Sequence, residues 1–172
     1  MHGVTIRPER PEDAAAIRAV HLAAFPTPAE ADLVELIRAS DRFVPELSIV
    51  AHERDGRVVG HLLLSYVRLE GPDEPVLALA PMAVLPESQR RGIGSDLVRA
   101  ALDVAEVREE PLVVVLGHPW FYPRFGFRPA SRYGIVPPEH WPDAAFMIKP
   151  LTRFRSELRG RVVYPPAFDP AA

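Results

Sequence analysis

The stretch Gln89-Arg90-Arg91-Gly92-Ile93-Gly94 decides the fold, because it joins an apolar run ending at Pro86 to a strongly periodic helix. In that helix Ile93, Leu97, Val98, Ala101, Leu102 and Ala105 form one apolar face, and Asp96, Arg99, Asp103 and Glu106 take the other. A helix start leaves several backbone N–H groups unpaired and carries the positive end of the dipole, so this junction suits a phosphate or pyrophosphate. Gly92 and Gly94 have no Cβ to hold a ligand off the backbone, and Arg90 or Arg91 can add charge-assisted hydrogen bonds. The same residues also fit a plain glycine turn with two solvated arginines. Other phosphate loops do not match: there is no GxxxxGK(S/T), and the loop lacks the GxGxxG pattern of a dinucleotide fold.

Upstream of this loop, Val4-Thr5-Ile6-Arg7 reads as a short strand, and Ala14, Ile17, Val20 and Ala24 recur at helical spacing. Thr27-Pro28-Ala29-Glu30 predicts a second helix start, with a threonine N-cap, a proline at N1 and a glutamate at N3, and with Leu33, Leu36 and Ile37 as the buried face. The apolar runs Leu47 to His52 and Val58 to Leu69 flank Asp55-Gly56, whose positive-φ tolerance predicts an antiparallel hairpin. A further run, Val76 to Val84, contains Pro81, which cannot donate to a ladder and implies a bulge or an edge.

Downstream, Leu112 to Leu116 is short, β-branched and follows a helix, as a buried parallel strand does. Weaker strands are predicted near Arg128 to Ser131, near Phe146 to Leu151 and over Val162 to Tyr164, with loops around Pro137 to Pro142 and from Pro165 to Ala172. This order predicts a single α/β layer structure with a largely antiparallel sheet.

Composition sets outer limits. At 172 residues the chain is read as one domain. It is 48% hydrophobic and 25% charged, an ordinary globular balance, and its net charge of -3 supplies no field for holding nucleic acid or anionic lipid. Cysteine is absent, which excludes disulfides, thiolate metal sites and a cysteine nucleophile. Neither a signal-peptide h-region nor an apolar run of about 18 residues is present, so a cytoplasmic protein with no membrane partner is expected. No HExxH pair or local ligand spacing among the histidines supports a metal, and no G-x-S-x-G elbow supports a serine hydrolase.

With these segments in place, the sequence resembles the GCN5-related N-acetyltransferase (GNAT) superfamily. Its hallmark Q/R-x-x-G-x-G/A, between a fourth strand and a third helix, is matched by Gln89, Gly92 and Gly94. Leu79-Ala80-Pro81-Met82-Ala83-Val84 resembles the bulged fourth strand, Val113 to Leu116 the fifth, and Phe121-Tyr122-Pro123-Arg124-Phe125-Gly126-Phe127 the Y-x-x-x-G-F signature. The resemblance covers roughly residues 4 to 151, with a C-terminal strand and tail over 152 to 172. Gly117-His118-Pro119 with the aromatic run is similar to a subgroup of predicted bacterial acetyltransferases.

The resemblance implies an α+β fold with a mixed, mostly antiparallel sheet flanked by helices and an acyl-CoA in the gap between strands four and five. It further implies that backbone groups of Met82, Ala83 and Val84 pair with the pantetheine arm, and that Gln89 and the amides of Arg90, Arg91, Gly92, Ile93 and Gly94 form the pyrophosphate loop. Transfer is then direct, from acetyl-CoA to a primary amine on a small molecule or peptide, with a strand amide near Met82 at the oxyanion and Tyr122 as general acid. His118, at the end of the fifth strand where many relatives have Asn, is a candidate active-site residue. For the base, Glu30 is explained by its cap with Thr27, His61 and Ser65 share one strand face, and His2, His21, His52 and His140 have no constellation around them. A noncatalytic acyl-CoA-binding module and, more remotely, a nucleotide-phosphate-binding protein share these motifs. A monomer and a homodimer are both compatible with the sequence.

Overall fold

A computed structural model of the chain describes residues 3–169, so His2 and the last three residues of the proline-rich tail lie outside the described residues. The elements run β1 (Thr5–Pro8), α1 (Ala14–Ala24), α2 (Ala29–Arg38), β2 (Ser48–His52), β3 (Val58–Leu69), β4 (Glu74–Val84) and α3 (Ile93–Glu106). Then follow β5 (Leu112–Leu116), β6 (Arg128–Pro129), β7 (Ile135–Val136), β8 (Phe146–Pro150) and β9 (Gly160–Val163). The strand order is β1-β2-β3-β4-β5-β8-β6, with β9 on β3 and β7 on β9. Only β4 with β5 and β7 with β9 are parallel, among the pairings whose register is given; the sheet is mixed and mostly antiparallel, as expected. No helix among the described residues is long and apolar enough to cross a membrane.

The chain divides into two compact units, one of residues up to Leu64 with Ala80–Val104, the other of Ser65–Leu79 with residues from Ala105 onward. In the first unit the β2-β3 hairpin turns as predicted: Gly56 has φ +89, Glu53 N–H donates to the Arg57 carbonyl at 2.9 Å, and Ser48 pairs with Leu63. Against β3 lies α3, and the contact needs a glycine. A Cβ on Gly60 would sit 3.1 Å from Leu97 Cδ1 and 3.3 Å from Ile93 Cγ2, so the missing side chain lets the helix seat directly on the strand. Ile17, Val20, Val34, Ile37, Leu47 and Leu62 are among the buried apolar residues of the unit.

A buried polar chain runs through that same unit. Arg38 donates from Nε to Glu9 Oε2 at 2.9 Å, Ser48 Oγ donates to Glu9 Oε1, Ser48 Oγ meets His61 Nε2 at 2.8 Å, and His61 Nδ1 meets His21 Nε2 at 2.8 Å. The chain ties the residue that follows β1 to α2, β2, β3 and α1. This corrects the expectation that His21 has no constellation; it sits on the buried face of α1 with Ile17 and Val20.

In the second unit Val67, Leu69, Val76, Ala78, Leu112, Val114, Phe146, Ile148 and Val162 form one core cluster, with Tyr133, Trp141, Phe154 and Tyr164 packed against it. Buried Glu110 is held by Arg108 at 2.8 Å and accepts the Tyr66 hydroxyl at 3.0 Å. Four of the five β5 residues are buried, as the continuous apolar run implies.

Several local expectations fail for identifiable reasons. Helix α2 begins at Ala29 with Pro28 as N-cap, so Glu30 falls at N2, the capping box does not form, and Thr27 Oγ1 accepts only a long 3.4 Å bond from Ala29 N–H. The buried stripe of α2 is Ala31, Val34 and Ile37, while Leu36 is exposed; both stripes have helical spacing, so periodicity alone does not choose between them. Strand β6 stops at Pro129, which lacks an N–H for the ladder, and Ala130 opens a 3-10 turn instead. Strand β7 is two residues long, too short to leave a pattern, and β9 ends at Val163, one residue before the predicted end.

The polar chain sets the acid response. Burial, reinforced by the positive character of His61 and Arg38, lowers His21 from 6.5 to about 3, and burial lowers His61 as well. Glu9 is lowered to about 2: burial alone would raise it, and hydrogen bonds with His61, Arg38 and Ser48 outweigh that. The histidines therefore contribute stability above pH 6.5 that is lost as pH falls, because the unfolded chain takes up protons the fold refuses; Glu9 adds a further loss below pH 4.5. Urea denaturation is expected to show stability falling by at least about 1.4 kcal/mol per pH unit between pH 6 and pH 4. Stability that stays level until the carboxylates titrate would contradict this.

Candidate active site

Strand β4 changes character along its length. Val76 to Leu79 are buried without a break, and from Ala80 the pattern alternates, with Ala80, Met82 and Val84 half-buried and Pro81 and Ala83 buried. Its ladder with β5 consists of Leu77 opposite Val113 and Ala78 opposite Val114. Beyond these pairs the β4 backbone at Met82 to Val84 leads through a 3-10 turn at Pro86–Ser88 into the glycine loop.

The loop is closed from within the chain. The Gln89 side-chain amide donates to the Val84 carbonyl at 3.0 Å, fastening the loop to the end of β4. Arg90 adopts φ +64 and Gly92 φ +81; a Cβ at Gly92 would meet nothing within 4 Å, so the left-handed backbone accounts for that glycine. Gly94 is different. Its φ is not in the left-handed region, and a Cβ there would approach only Met82 Cε, at an ordinary 3.9 Å. Neither backbone nor packing requires a glycine at Gly94, and its absent side chain leaves the first turn of α3 open.

Asp96 N–H donates to the Gly92 carbonyl at 3.0 Å, the first bond of the helical ladder, so the amides of Ile93, Gly94 and Ser95 precede any intrahelical acceptor. The Ile93 side chain is buried against Gly60, leaving its amide as the group it can offer outward. Arg91 pairs with Glu53 at 3.3 Å, and with Gly92, Ser95 and Arg99 it helps line an open depression beside the helix start. The arrangement offers amides and a dipole end to an anion, with Arg91 and Arg99 alongside, paired to Glu53 and to Asp96.

In the second unit, β5 ends at Leu116 and the chain passes through Gly117 to His118, whose carbonyl accepts the N–H groups of Phe121 at 3.0 Å and Tyr122 at 3.3 Å. The His118 ring is exposed and stacks on Trp120, with centroids 4.9 Å apart. Tyr122 is buried edge-on to Phe121 at 5.0 Å and to Phe127 at 5.5 Å. Burial pushes its hydroxyl up to about 12, so it keeps its proton at neutral pH. Gly117 makes this seat: a Cβ there would lie 2.3 Å from Tyr122 Cε2 and 2.9 Å from Cδ2.

His61 and Ser65 are fully buried; His61 is committed to the polar chain, and Ser65 Oγ is buried without a hydrogen-bond partner. Glu30 Oε1 and His21 Nδ1 are likewise buried and unpartnered. His21 was legible only as an apolar-face position of α1, and no local signal links Glu9, Arg38 and Ser48 to it. Among the described residues no cluster of three or more His, Asp or Glu side chains forms a metal site.

The sequence profile of the Acetyltransferase (GNAT) family matches residues 14–127. The chain belongs to the GNAT acetyltransferase family. It is similar to the uncharacterized N-acetyltransferase YjhQ of Escherichia coli K12, 35% identical over 94% of this chain and 92% of that protein. The crystal structure of the GNAT family N-acetyltransferase YhbS from Escherichia coli in complex with CoA superposes with a TM-score of 0.90 at 30% identity, covering 98% of this chain and 93% of that one. A GNAT family acetyltransferase from Brucella melitensis in complex with acetyl-CoA gives a TM-score of 0.80 at 33% identity, over 98% and 100%. The GNAT fold and the N-acetyltransferase class read from the sequence both hold.

Gly117→Ala is expected to destabilise this GNAT protein by about 1–3 kcal/mol, because the Tyr122 ring must move to admit the methyl group. Thermal denaturation checks it. An unchanged midpoint would mean that Tyr122 is not held against Gly117.

Proposed function

We propose that the chain transfers an acetyl group from acetyl-CoA to a primary amine on a small molecule or peptide, by direct attack while both substrates are bound. The observation that carries this reading is Gly94, a glycine that neither its backbone conformation nor its neighbours require, at a helix start whose first amides have no intrahelical acceptor. The solved GNAT relatives with CoA and acetyl-CoA support the same cosubstrate.

In this reading the amides from Arg90 to Gly94 hold the pyrophosphate, with Arg91 adding charge, and Gln89 keeps the loop closed on Val84. The backbone of Met82, Ala83 and Val84 pairs with the pantetheine arm, and the amide near Met82 donates to the oxygen that gains charge as the amine attacks. Acetyl-CoA supplies the thioester; no protein nucleophile is needed. Tyr122 donates its proton to the departing sulfur, and a raised value near 12 keeps that proton in place until negative charge develops beside it. His118 contacts the acceptor from the exposed end of β5.

Tyr122→Phe is expected to lower kcat by about 100-fold in acetylation of a panel containing tyramine, spermidine and a short peptide with a free α-amine, with acetyl-CoA affinity unchanged. CoA release measured by thiol titration checks it. Turnover equal to that of the wild type would remove the acid role. Tight acetyl-CoA binding with no turnover of any amine would favour the noncatalytic module.

A further inference from the structure

Charge is spread unevenly along the sequence. Residues 124–161 carry eight basic and three acidic side chains, a net charge of +5 within a chain whose net charge is -3. That stretch lies wholly in the second unit. Part of the excess is neutralised in place: Arg155 pairs with Glu74 at 3.3 Å and with Glu157 at 3.6 Å, and Lys149 stands 4.0 Å from Glu106. Arg132, Arg153 and Arg159 are exposed and have no carboxylate partner among the described residues.

The fold gathers these three. Strand β7 runs parallel to β9, with Ile135 opposite Gly160 and Val136 opposite Arg161, and Gly160 N–H donates to the Gly134 carbonyl at 3.1 Å. Arg159 therefore lies beside the 3-10 turn that carries Arg132 and Tyr133, and its guanidinium passes over Gly134, where a Cβ would collide with it. The Tyr133 ring of the same turn meets the Phe154 ring edge-on at 5.6 Å, which brings Arg153, the neighbour of Phe154, to this region. Apolar side chains stand among the arginines. Parallel partners point to one face of a sheet and residues alternate along a strand, so Val136, Arg161 and Val163 share a face of the β7-β9 ribbon. Val136 is 40% and Val163 44% exposed. Arg161 gives one nitrogen to the Pro137 carbonyl at 2.8 Å and keeps its other donors.

We propose that this region of the second unit is a docking surface for an acidic polypeptide segment, which sets Asp or Glu side chains against Arg132, Arg153, Arg159 and Arg161 and apolar side chains on Val136 and Val163. A guanidinium presents a planar fork that a carboxylate meets with two parallel hydrogen bonds. The exposed valines favour a polypeptide over a nucleic acid, because a phosphodiester strand brings charge and stacking bases but no side chain to cover a valine. The rings that bases would need, Tyr133 and Phe154, are half-buried against each other and the core. The rest of the chain, with 12 basic and 20 acidic side chains, repels a long polyanion and leaves a field suited to a short segment. This surface goes beyond the acetyltransfer reading and does not depend on it.

Fluorescence anisotropy of a labelled peptide that alternates Glu with Leu tests this on the full chain, at about 0.05 M salt so that the charges are not fully screened. Saturable binding is expected, weaker by at least about tenfold for the same peptide with Gln in place of Glu. The double variant Arg132→Ser with Arg153→Ser should lose at least about tenfold in affinity, and Val163→Ser about threefold. Arg10→Ser with Arg54→Ser, which removes the same charge from exposed sites of the first unit, should leave binding unchanged. Equal losses in the two double variants would overturn the surface as a specific one. Equal affinity for the Glu and Gln peptides would overturn it as well, and that comparison needs only the wild type, so it decides the matter even if a variant fails to fold. Tighter binding of a uridine oligonucleotide of the same charge than of the Glu peptide would overturn the polypeptide assignment in favour of a nucleic acid.

Discussion

The close seating of α3 on β3 at Gly60 is the constraint from which the geometry of the glycine loop follows. With Leu97 and Ile93 placed where a side chain on residue 60 would be, the helix start is held against β3, and Gly94 in its first turn lies beside the Met82 side chain. The loop between strand and helix then has little freedom. Gln89 fastens it to Val84, Gly92 turns it through a left-handed conformation, and Gly94 keeps the first turn bare. Apolar packing fixes the helix, and the polar consequence is a set of backbone amides that a helix start always leaves over and that suit an anion.

The same unit contains a second device of opposite character. Around Glu9 and Arg38, burial is made tolerable by pairing and hydrogen bonding, in a connected series that ends at His21. Such a network costs desolvation that an apolar core would avoid. In the second unit Gly117 and the aromatic ring contacts of Tyr122 act by shape alone, holding a hydroxyl that burial keeps protonated.

Elements with strong periodicity or explicit turn chemistry were legible in the sequence. Helix α3, the Asp55-Gly56 hairpin and the buried strand β5 follow from residue pattern alone. Failures came where two local rules competed or where no local rule exists. Pro28 and Thr27 both signal a helix start, and the later one prevailed; the stripes of α2 are equivalent until a partner selects one. The polar chain joins residues 9, 21, 38, 48 and 61 through side chains alone. Single residues of this kind carry no periodicity, so His21 read as isolated and Glu30 as a cap.

The loop from Gln89 to Gly94 is the proposed seat of the acetyl-CoA pyrophosphate. Calorimetric titration of acetyl-CoA into the wild type and into Gly94→Val, whose Cβ would meet only Met82 Cε at 3.9 Å, tests this most directly. Saturable binding by the wild type and loss of at least about tenfold in affinity by an equally stable variant is the predicted result. Equal affinities, or a wild type that does not bind at millimolar acetyl-CoA, would contradict the assignment of this loop.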